Sequence, residues 1–258
     1  MSAVSVNRVV TGPDEAPVVV LSNSLGSTMA MWEANLVALE KDFRVVRYDT
    51  RGHGGSPVPT GPYDIDDLVD DVVALLDDLG VGRAHFVGLS LGGMTGMRLA
   101  ARNPERVDRL VVLCTGAYLE PSSAWHDRAA TVRDKGTAAV AEAVVARWFT
   151  PRLLEADSGL KAANEAMVAS TPAEGYAGCC EVIATMDLRG DLASIKAPTL
   201  AIAGADDPAT PPPHLAEIAE SVPNGRLLVV PDAAHLASAQ QPETVTAAIV
   251  EHLTQGSS

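Results

Sequence analysis

The sequence predicts an α/β fold: a mostly parallel sheet with helices on both faces and a helical segment inserted between two strands. Three observations lead there. Short apolar runs alternate with amphipathic stretches along most of the 258 residues. The runs are apolar throughout, as strands covered on both faces must be. The alternation lapses between about Gly116 and Lys196, a stretch rich in Ala, Glu and Arg without a convincing strand. Alternation of this kind makes a parallel sheet with crossover helices.

The elements follow in order. Ala16–Ser22 and Phe43–Tyr48 read as buried strands, with a helix over Trp32–Lys41 between them. Ile65–Leu79 has the helical period, placing Leu68, Val72, Leu75, Leu76 and Leu79 on one face and aspartates on the other; Gly80 ends it. Ala84–Leu89 is the next strand, Leu91–Arg102 the next helix, and Arg109–Cys114 the strand after it. The inserted segment begins near Pro121 and ends at Ala197-Pro198. Open α/β sheets bind ligands at the C-terminal edge of their strands, so the insertion reads as a helical cap over that edge. Strands Thr199–Ala203 and Arg226–Val230 and helices Pro213–Ser221 and Glu243–Leu253 complete the chain. The terminal Gln-Gly-Ser-Ser reads as a frayed end. The expected division is a core of residues 1–117 and 197–258 with a cap of 118–196.

Composition narrows the function. Hydrophobic residues make up 47%, enough for a large core, which argues against disorder. The net charge of −14 argues against nucleic acid and anionic membranes as partners. An anionic substrate would need a local cation in its pocket. The three cysteines, Cys114, Cys179 and Cys180, have no C-x-x-C spacing and read as reduced, buried thiols. The first residues lack the basic-then-apolar pattern of a secretory leader, and no run is long enough for a membrane span. The expectation is a cytoplasmic protein with a small-molecule substrate, able to form a homo-oligomer.

The chemistry starts at Gly88-x-Ser90-x-Gly92, directly after a strand and before a helix. Serine is a poor nucleophile unless a tight turn aims it at a base, and such a turn needs small neighbours. The following helix offers free N–H groups where an oxyanion would form. The base must come from a loop at the same sheet edge. Of six histidines, His53 and His235 qualify: His53 lies in Asp49-Thr50-Arg51-Gly52-His53-Gly54, and His235 follows the last strand. His235 suits a reach across to the nucleophile better. The acid must orient that histidine and offset its positive charge. The strand ending at Ala203 runs into Asp206 and Asp207, and the residues alone do not choose between them. Leu91, after the nucleophile, supplies one oxyanion N–H. The second is expected from the loop Asn23-Ser24-Leu25-Gly26-Ser27.

These motifs resemble the α/β-hydrolase superfamily, whose fold is a mostly parallel eight-stranded sheet with a cap. The matching residues are Asp49-x-Arg51-Gly52-x-Gly54-x-Ser56, Gly88-x-Ser90-x-Gly92-Gly93, Pro104-Glu105-Arg106-Val107, Gly204-x-x-Asp207 and Ala234-His235. Within it the chain is similar to 3-oxoadipate enol-lactonases. That resemblance rests on Asn23-Ser24-Leu25-Gly26 with Met31-Trp32, Gly61-Pro62-Tyr63, Gly92-Gly93-Met94-Thr95-Gly96 and Arg147-Trp148-Phe149-Thr150-Pro151. Gly175-Tyr176 with Cys179-Cys180 and Ala209-Thr210-Pro211-Pro212 extend it. The resemblance implies Ser90, Asp207 and His235 as catalytic triad and the N–H groups of Leu25 and Leu91 as oxyanion hole. It implies a structural place for His53, and no metal or organic cofactor. Its implied substrate carries a carboxylate, for which Arg133 and Arg147 are the chosen cap cations; Arg128, Lys135 and Arg152 are the others. Trp32 and Trp148 are the chosen pocket aromatics, with Met94, Met167 and Met186 as further wall candidates. An esterase or thioesterase acting on another small acyl group, or a perhydrolase side reaction, would use the same triad. A ligand receptor on the same fold would bind without turnover.

Overall fold

The computed structural model describes residues 2–255 and has one seven-stranded sheet among them, in the order β1-β3-β2-β4-β5-β6-β7. The strands are β1 (Arg8–Thr11), β2 (Val18–Ser22), β3 (Arg44–Tyr48), β4 (Ala84–Leu89), β5 (Val107–Leu113), β6 (Thr199–Gly204) and β7 (Gly225–Val230). β1 pairs antiparallel with β3; every other pairing is parallel. All six strands read from apolar runs are present. β1 escaped that reading because it is a four-residue, half-buried edge strand without an apolar run.

The sheet has one strand fewer than the eight expected. Residues 2–7, which precede β1, form no ladder. Their backbone is used in isolated long-range bonds instead: the Val4 N–H donates to Asp71 Oδ1, the Asn7 N–H to Ser56 Oγ, and the Asp49 N–H to the Asn7 carbonyl. The frayed end read at the C-terminus lies outside the described residues from 256 onward.

The helices of the sheet layers are α1 (Glu33–Leu39), α2 (Ile65–Asp78), α3 (Leu91–Arg102), α9 (Pro212–Ser221), the short α10 (Ala237–Gln240) and α11 (Pro242–Thr254). Between β5 and β6 stand α4 (Ser122–Lys135), α5 (Ala138–Trp148), α6 (Pro151–Ala156), α7 (Ser158–Ala169) and α8 (Ala173–Thr185), with no strand among these described residues. α2 opens on a reciprocal capping box between Asp64 and Asp67 and buries Leu68, Val69, Val72, Leu75 and Leu76.

Two aspartates of α2 depart from the amphipathic pattern. Asp67 and Asp71 are buried, because the Arg51 guanidinium enters the core beside them. Arg51 Nε donates to Asp71 Oδ2 at 2.6 Å, and its Nη2 donates to Asp71 Oδ1 and to the Asp67 carbonyl. A fully buried guanidinium is tolerable only with such partners.

The topology decides where a site can form. β2 and β4 are neighbours, but the chain leaves β2 for β3 on one side and β4 for β5 on the other. That reversal opens a crevice at the C-terminal ends of the strands. Ser22 pairs with Gly88 at that end, so the loop after β2 and the turn after β4 emerge side by side.

Candidate active site

Ser90 sits between β4 and α3 with φ 55° and ψ −114°, a left-handed conformation that costs a non-glycine residue about 1–3 kcal/mol. Its neighbours make the turn possible. A Cβ on Gly88 would lie 2.1 Å from the Gly92 carbonyl oxygen, and one on Gly92 would lie 2.4 Å from that of Ser22. The Ser90 N–H donates to the Leu113 carbonyl at 2.9 Å, and Thr115 Oγ1 donates to the Ser90 carbonyl at 2.8 Å. The strained residue is thus held from both sides. Leu91 is the first residue of α3, where an N–H has no intrahelical acceptor.

The loop 23–27 faces this turn. The Gly92 N–H donates to the Asn23 carbonyl at 3.0 Å, joining the two segments. Within the loop the N–H groups of Ser24, Gly26 and Ser27 donate to Met31 Sδ, His53 Nε2 and the Ser24 carbonyl. Leu25 lines the cavity between them, and among the described residues its N–H has no acceptor.

His235 lies after β7, and its Nδ1 is 2.8 Å from Asp207 Oδ2. An ionised carboxylate has no proton to give, so Nδ1 donates and Nε2 is the ring nitrogen left to face the cavity chemistry. Asp207 is buried, whereas Asp206 is exposed. Burial alone would raise the Asp207 pKa; hydrogen bonds from His235 and Thr210 outweigh it and hold the carboxyl below its ordinary value. Thr210 Oγ1 donates to Oδ2 at 2.8 Å, and the N–H groups of Ala209 and Thr210 donate to Oδ1. The histidine loop is tied to α5: the N–H groups of His235 and Leu236 donate to the carbonyls of Arg147 and Trp148 at 3.4 and 2.8 Å.

Ser24, Leu25, Ser90 and His235 line one cavity of about 240 Å³. Its far wall comes from the inserted helices and includes Trp125, Arg128, Arg147, Trp148 and Tyr176. Asp207 stands behind His235, and Leu91 follows Ser90 into α3. Two residues chosen from the sequence lie elsewhere. Trp32 is fully buried and donates its Nε1–H to Asn23 Oδ1 at 3.0 Å, bracing the loop from behind. Arg133 is committed to two carboxylates, Glu174 and Glu181, and does not line the cavity. Met94 is core, and neither Met167 nor Met186 lines the cavity.

Arg128, Trp125 and Tyr176 line the cavity without having been chosen. The spacing Trp125-x-x-Arg128 puts two pocket side chains on one face of α4, a signal available in the sequence. His53 has a definite role. It is fully buried, its Nε2 accepts from the Gly26 N–H at 3.0 Å, and its Nδ1 lies 3.2 Å from the Arg51 carbonyl, to which it must donate. Burial lowers its pKa to about 4, so the ring is neutral and able to accept. The three cysteines are unpaired and buried, and burial pushes the Cys180 thiol up to about 12. Among the described residues no cluster of His, Cys, Asp and Glu could hold a metal, and no helix is long and apolar enough to cross a membrane.

Residues 17–242 match the family described as alpha/beta hydrolase fold. The chain is similar to 3-oxoadipate enol-lactonase 2 of Acinetobacter baylyi, with 39% identity over 95% of this chain and 92% of the relative. Among solved structures it is similar to the enol-lactonase of Burkholderia xenovorans, with 40% identity, a TM-score of 0.95, and coverage of 97% and 96% of the two chains. A thermophilic esterase of Thermogutta terrifontis, solved with malate bound, matches at 29% identity and a TM-score of 0.92 over 97% of this chain and 93% of its own.

Proposed function

The chain belongs to the alpha/beta hydrolase fold family, and from that premise we propose that it opens the ring of 3-oxoadipate enol-lactone to give 3-oxoadipate. The observation that carries the mechanism is the His235–Asp207 pair, 2.8 Å apart, at the cavity that also holds Ser90.

In this reading Ser90 Oγ attacks the lactone carbonyl carbon while His235 Nε2 takes its proton. Asp207 keeps the imidazole in the required tautomer and offsets its positive charge. The N–H groups of Leu25 and Leu91 receive the oxyanion. When the tetrahedral species collapses, the bond from carbonyl carbon to ring oxygen breaks and His235 returns the proton to that oxygen. The leaving group is an enol tethered to the acyl-enzyme. Tautomerisation to the ketone removes the oxygen nucleophile that would close the ring again. Water, deprotonated by His235, then attacks the acyl carbon and frees Ser90 and the diacid. His235 carries the proton of each acyl-transfer step, while the tautomerisation gives the enol proton to solvent and takes one from solvent at carbon. Supporting these roles are the strained turn at Ser90, the unengaged Leu25 N–H and the helix-start position of Leu91.

The division into a core of 1–117 and 197–258 and a cap of 118–196 belongs to the same proposal. It is supported by the five helices inserted between β5 and β6 and by their contribution to the cavity wall. The test of the substrate is the decay of the enol-lactone ultraviolet band. A kcat/KM for the enol-lactone well above that for simple aryl esters is expected. Far better turnover of aryl esters would transfer the assignment to a general esterase.

A further inference from the structure

The His235 ring is anchored at Nδ1, which lies 2.8 Å from Asp207 Oδ2. A bond at one ring atom leaves the ring free to swing about it, so the backbone beneath decides where Nε2 points. That backbone belongs to residues 231–236, a segment between β7 and α10 without helix or strand. Segments of this kind are mobile unless something ties them down. A base must sit within hydrogen-bond reach of the proton it takes, and a shift of about 1 Å can cost on the order of 100-fold in rate.

The ties run to the inserted helices. Arg147 and Trp148 end α5, where carbonyls have no donor inside the helix. They accept the N–H of His235 at 3.4 Å and that of Leu236 at 2.8 Å, so the bond to the base residue itself is the longer one. Gln240, the last residue of α10, completes the attachment. Its Oε1 accepts the N–H of Ala234 at 3.1 Å and that of Thr150 at 3.2 Å, and its Nε2 donates to Thr150 Oγ1 at 2.6 Å. One half-buried amide thus joins the residue before His235 to the residue that opens α6. A threonine at a helix start ordinarily caps its own helix. Thr150 does not; its hydroxyl oxygen receives Gln240 instead. Ala234 is pinned from its other side by β6, since a Cβ on Gly204 would lie 2.4 Å from the Ala234 carbonyl oxygen. The neighbouring amide of Gln241 reaches only the Asp232 carbonyl of its own loop, at 3.0 Å.

We propose that Gln240 is a positioning residue for the general base: its amide clamps the His235 segment to the inserted helices at Thr150 and so fixes where His235 Nε2 meets the Ser90 hydroxyl. This rests on the triad roles proposed above. The inserted helices then help to place the base as well as forming a wall of the cavity. Loss of the amide frees the loop at Ala234 and leaves the N–H groups of Ala234 and Thr150 without their acceptor. Turnover falls for any ester, whatever its acyl group, because the damage lies in proton transfer and not in substrate contacts.

The experiment compares wild type with Gln240→Leu, Gln240→Glu, Thr150→Val, the double variant of Gln240→Leu and Thr150→Val, and His235→Ala. Each is assayed on the enol-lactone and on an uncharged aryl acetate. kcat is taken per site titrated to completion with a fluorophosphonate, so unfolded protein is not counted. Gln240→Leu should lower kcat about 10–100-fold on both substrates, with KM within about threefold of wild type. Gln240→Glu keeps an acceptor for both N–H groups, and the Thr150 hydroxyl can turn to donate to it, so kcat should recover to within about fivefold of wild type. Thr150→Val should cost a smaller factor, and nothing further in the Gln240→Leu background, because both changes break the same clamp. A Gln240→Leu protein with fewer titratable sites but wild-type kcat per site would assign the amide to stability alone and overturn the proposal. So would losses at Gln240 and Thr150 that multiply independently, or a Gln240→Glu protein as slow as Gln240→Leu. If His235→Ala keeps kcat within about tenfold of wild type, the base assignment falls and the clamp with it. An inactive His235→Ala beside an unimpaired Gln240→Leu removes the clamp alone. If only the enol-lactone fails to turn over, the substrate reading falls, and the aryl acetate still decides the role of Gln240.

Discussion

Replacing His53 by Leu separates a structural histidine from one that governs catalysis at a distance. The ring holds two buried groups: it accepts the Gly26 N–H at 3.0 Å and donates to the Arg51 carbonyl at 3.2 Å. Leucine fills comparable space and leaves both groups unpaired. Each such group costs about 1–3 kcal/mol if nothing moves, so roughly 6 kcal/mol is the upper bound. The loop has a cheaper route, moving Gly26 towards water, which takes the adjacent Leu25 N–H away from the oxyanion position proposed for it. Loss of one oxyanion donor costs about 100–1000-fold in kcat. The expected result is therefore a folded variant, destabilised by about 2–3 kcal/mol in urea, with kcat down about 100-fold and KM little changed. His53→Gln, whose amide can both accept and donate, should recover at least tenfold. Inactivation by a fluorophosphonate should slow in step with kcat, because its phosphoryl oxygen uses the same donors. A folded His53→Leu protein with kcat within threefold of wild type would overturn the positioning role.

The other predictions concern the acid, acid sensitivity and the contact between inserted helices and sheet layer. Asp207→Asn should lower kcat by about 10⁴-fold, since an amide can hold the wrong tautomer of His235, while Asp206→Asn stays within about threefold; a larger loss at Asp206 would move the acid assignment. His53 and His252 both have pKa values lowered by burial to about 4, from an ordinary 6.5. The unfolded chain therefore binds more protons than the folded one between these values, and stability falls as pH drops from 6.5 towards 4. Each histidine withdraws roughly 3 kcal/mol by the bottom of that window; a urea midpoint unchanged between pH 7 and pH 4.5 would contradict it. Gly175 of α8 packs backbone to backbone on Gly52 of the core loop, and a Cβ there would lie 2.1 Å from the Gly52 carbonyl oxygen. Gly175→Ala should destabilise by about 1–3 kcal/mol, read as a lower melting temperature, and an unchanged value would show that the contact yields freely.

Periodicity and turn chemistry made the interior strands legible, because strands buried on both faces must be apolar throughout. β1 was not legible, since four half-buried edge residues leave no such run. The aspartates of α2 misled for a related reason. Amphipathic patterning sends charge to solvent, and only the buried Arg51, arriving from a different loop, makes Asp67 and Asp71 interior residues. At the site, Gly88-x-Ser90-x-Gly92 was legible because the turn tolerates no larger neighbours. The choice between Asp206 and Asp207 needed resemblance, since adjacent residues differ only in which one the fold turns inward. The cavity wall supplied by the inserted helices was the least legible part. Arg133 and Arg147 look alike in sequence, and what separates them is long-range: Glu174 and Glu181 on α8 claim Arg133 and leave Arg147 free to face the cavity.

Covalent labelling by a fluorophosphonate, mapped to a peptide, tests the assignment of Ser90 most directly. One equivalent should bind per chain, on the peptide that contains Ser90, and labelling should disappear in Ser90→Ala together with enol-lactone hydrolysis, a loss on the order of 10⁶-fold in a serine hydrolase. Labelling at another residue, or a Ser90→Ala protein that still opens the lactone within tenfold of the wild-type rate, would contradict it.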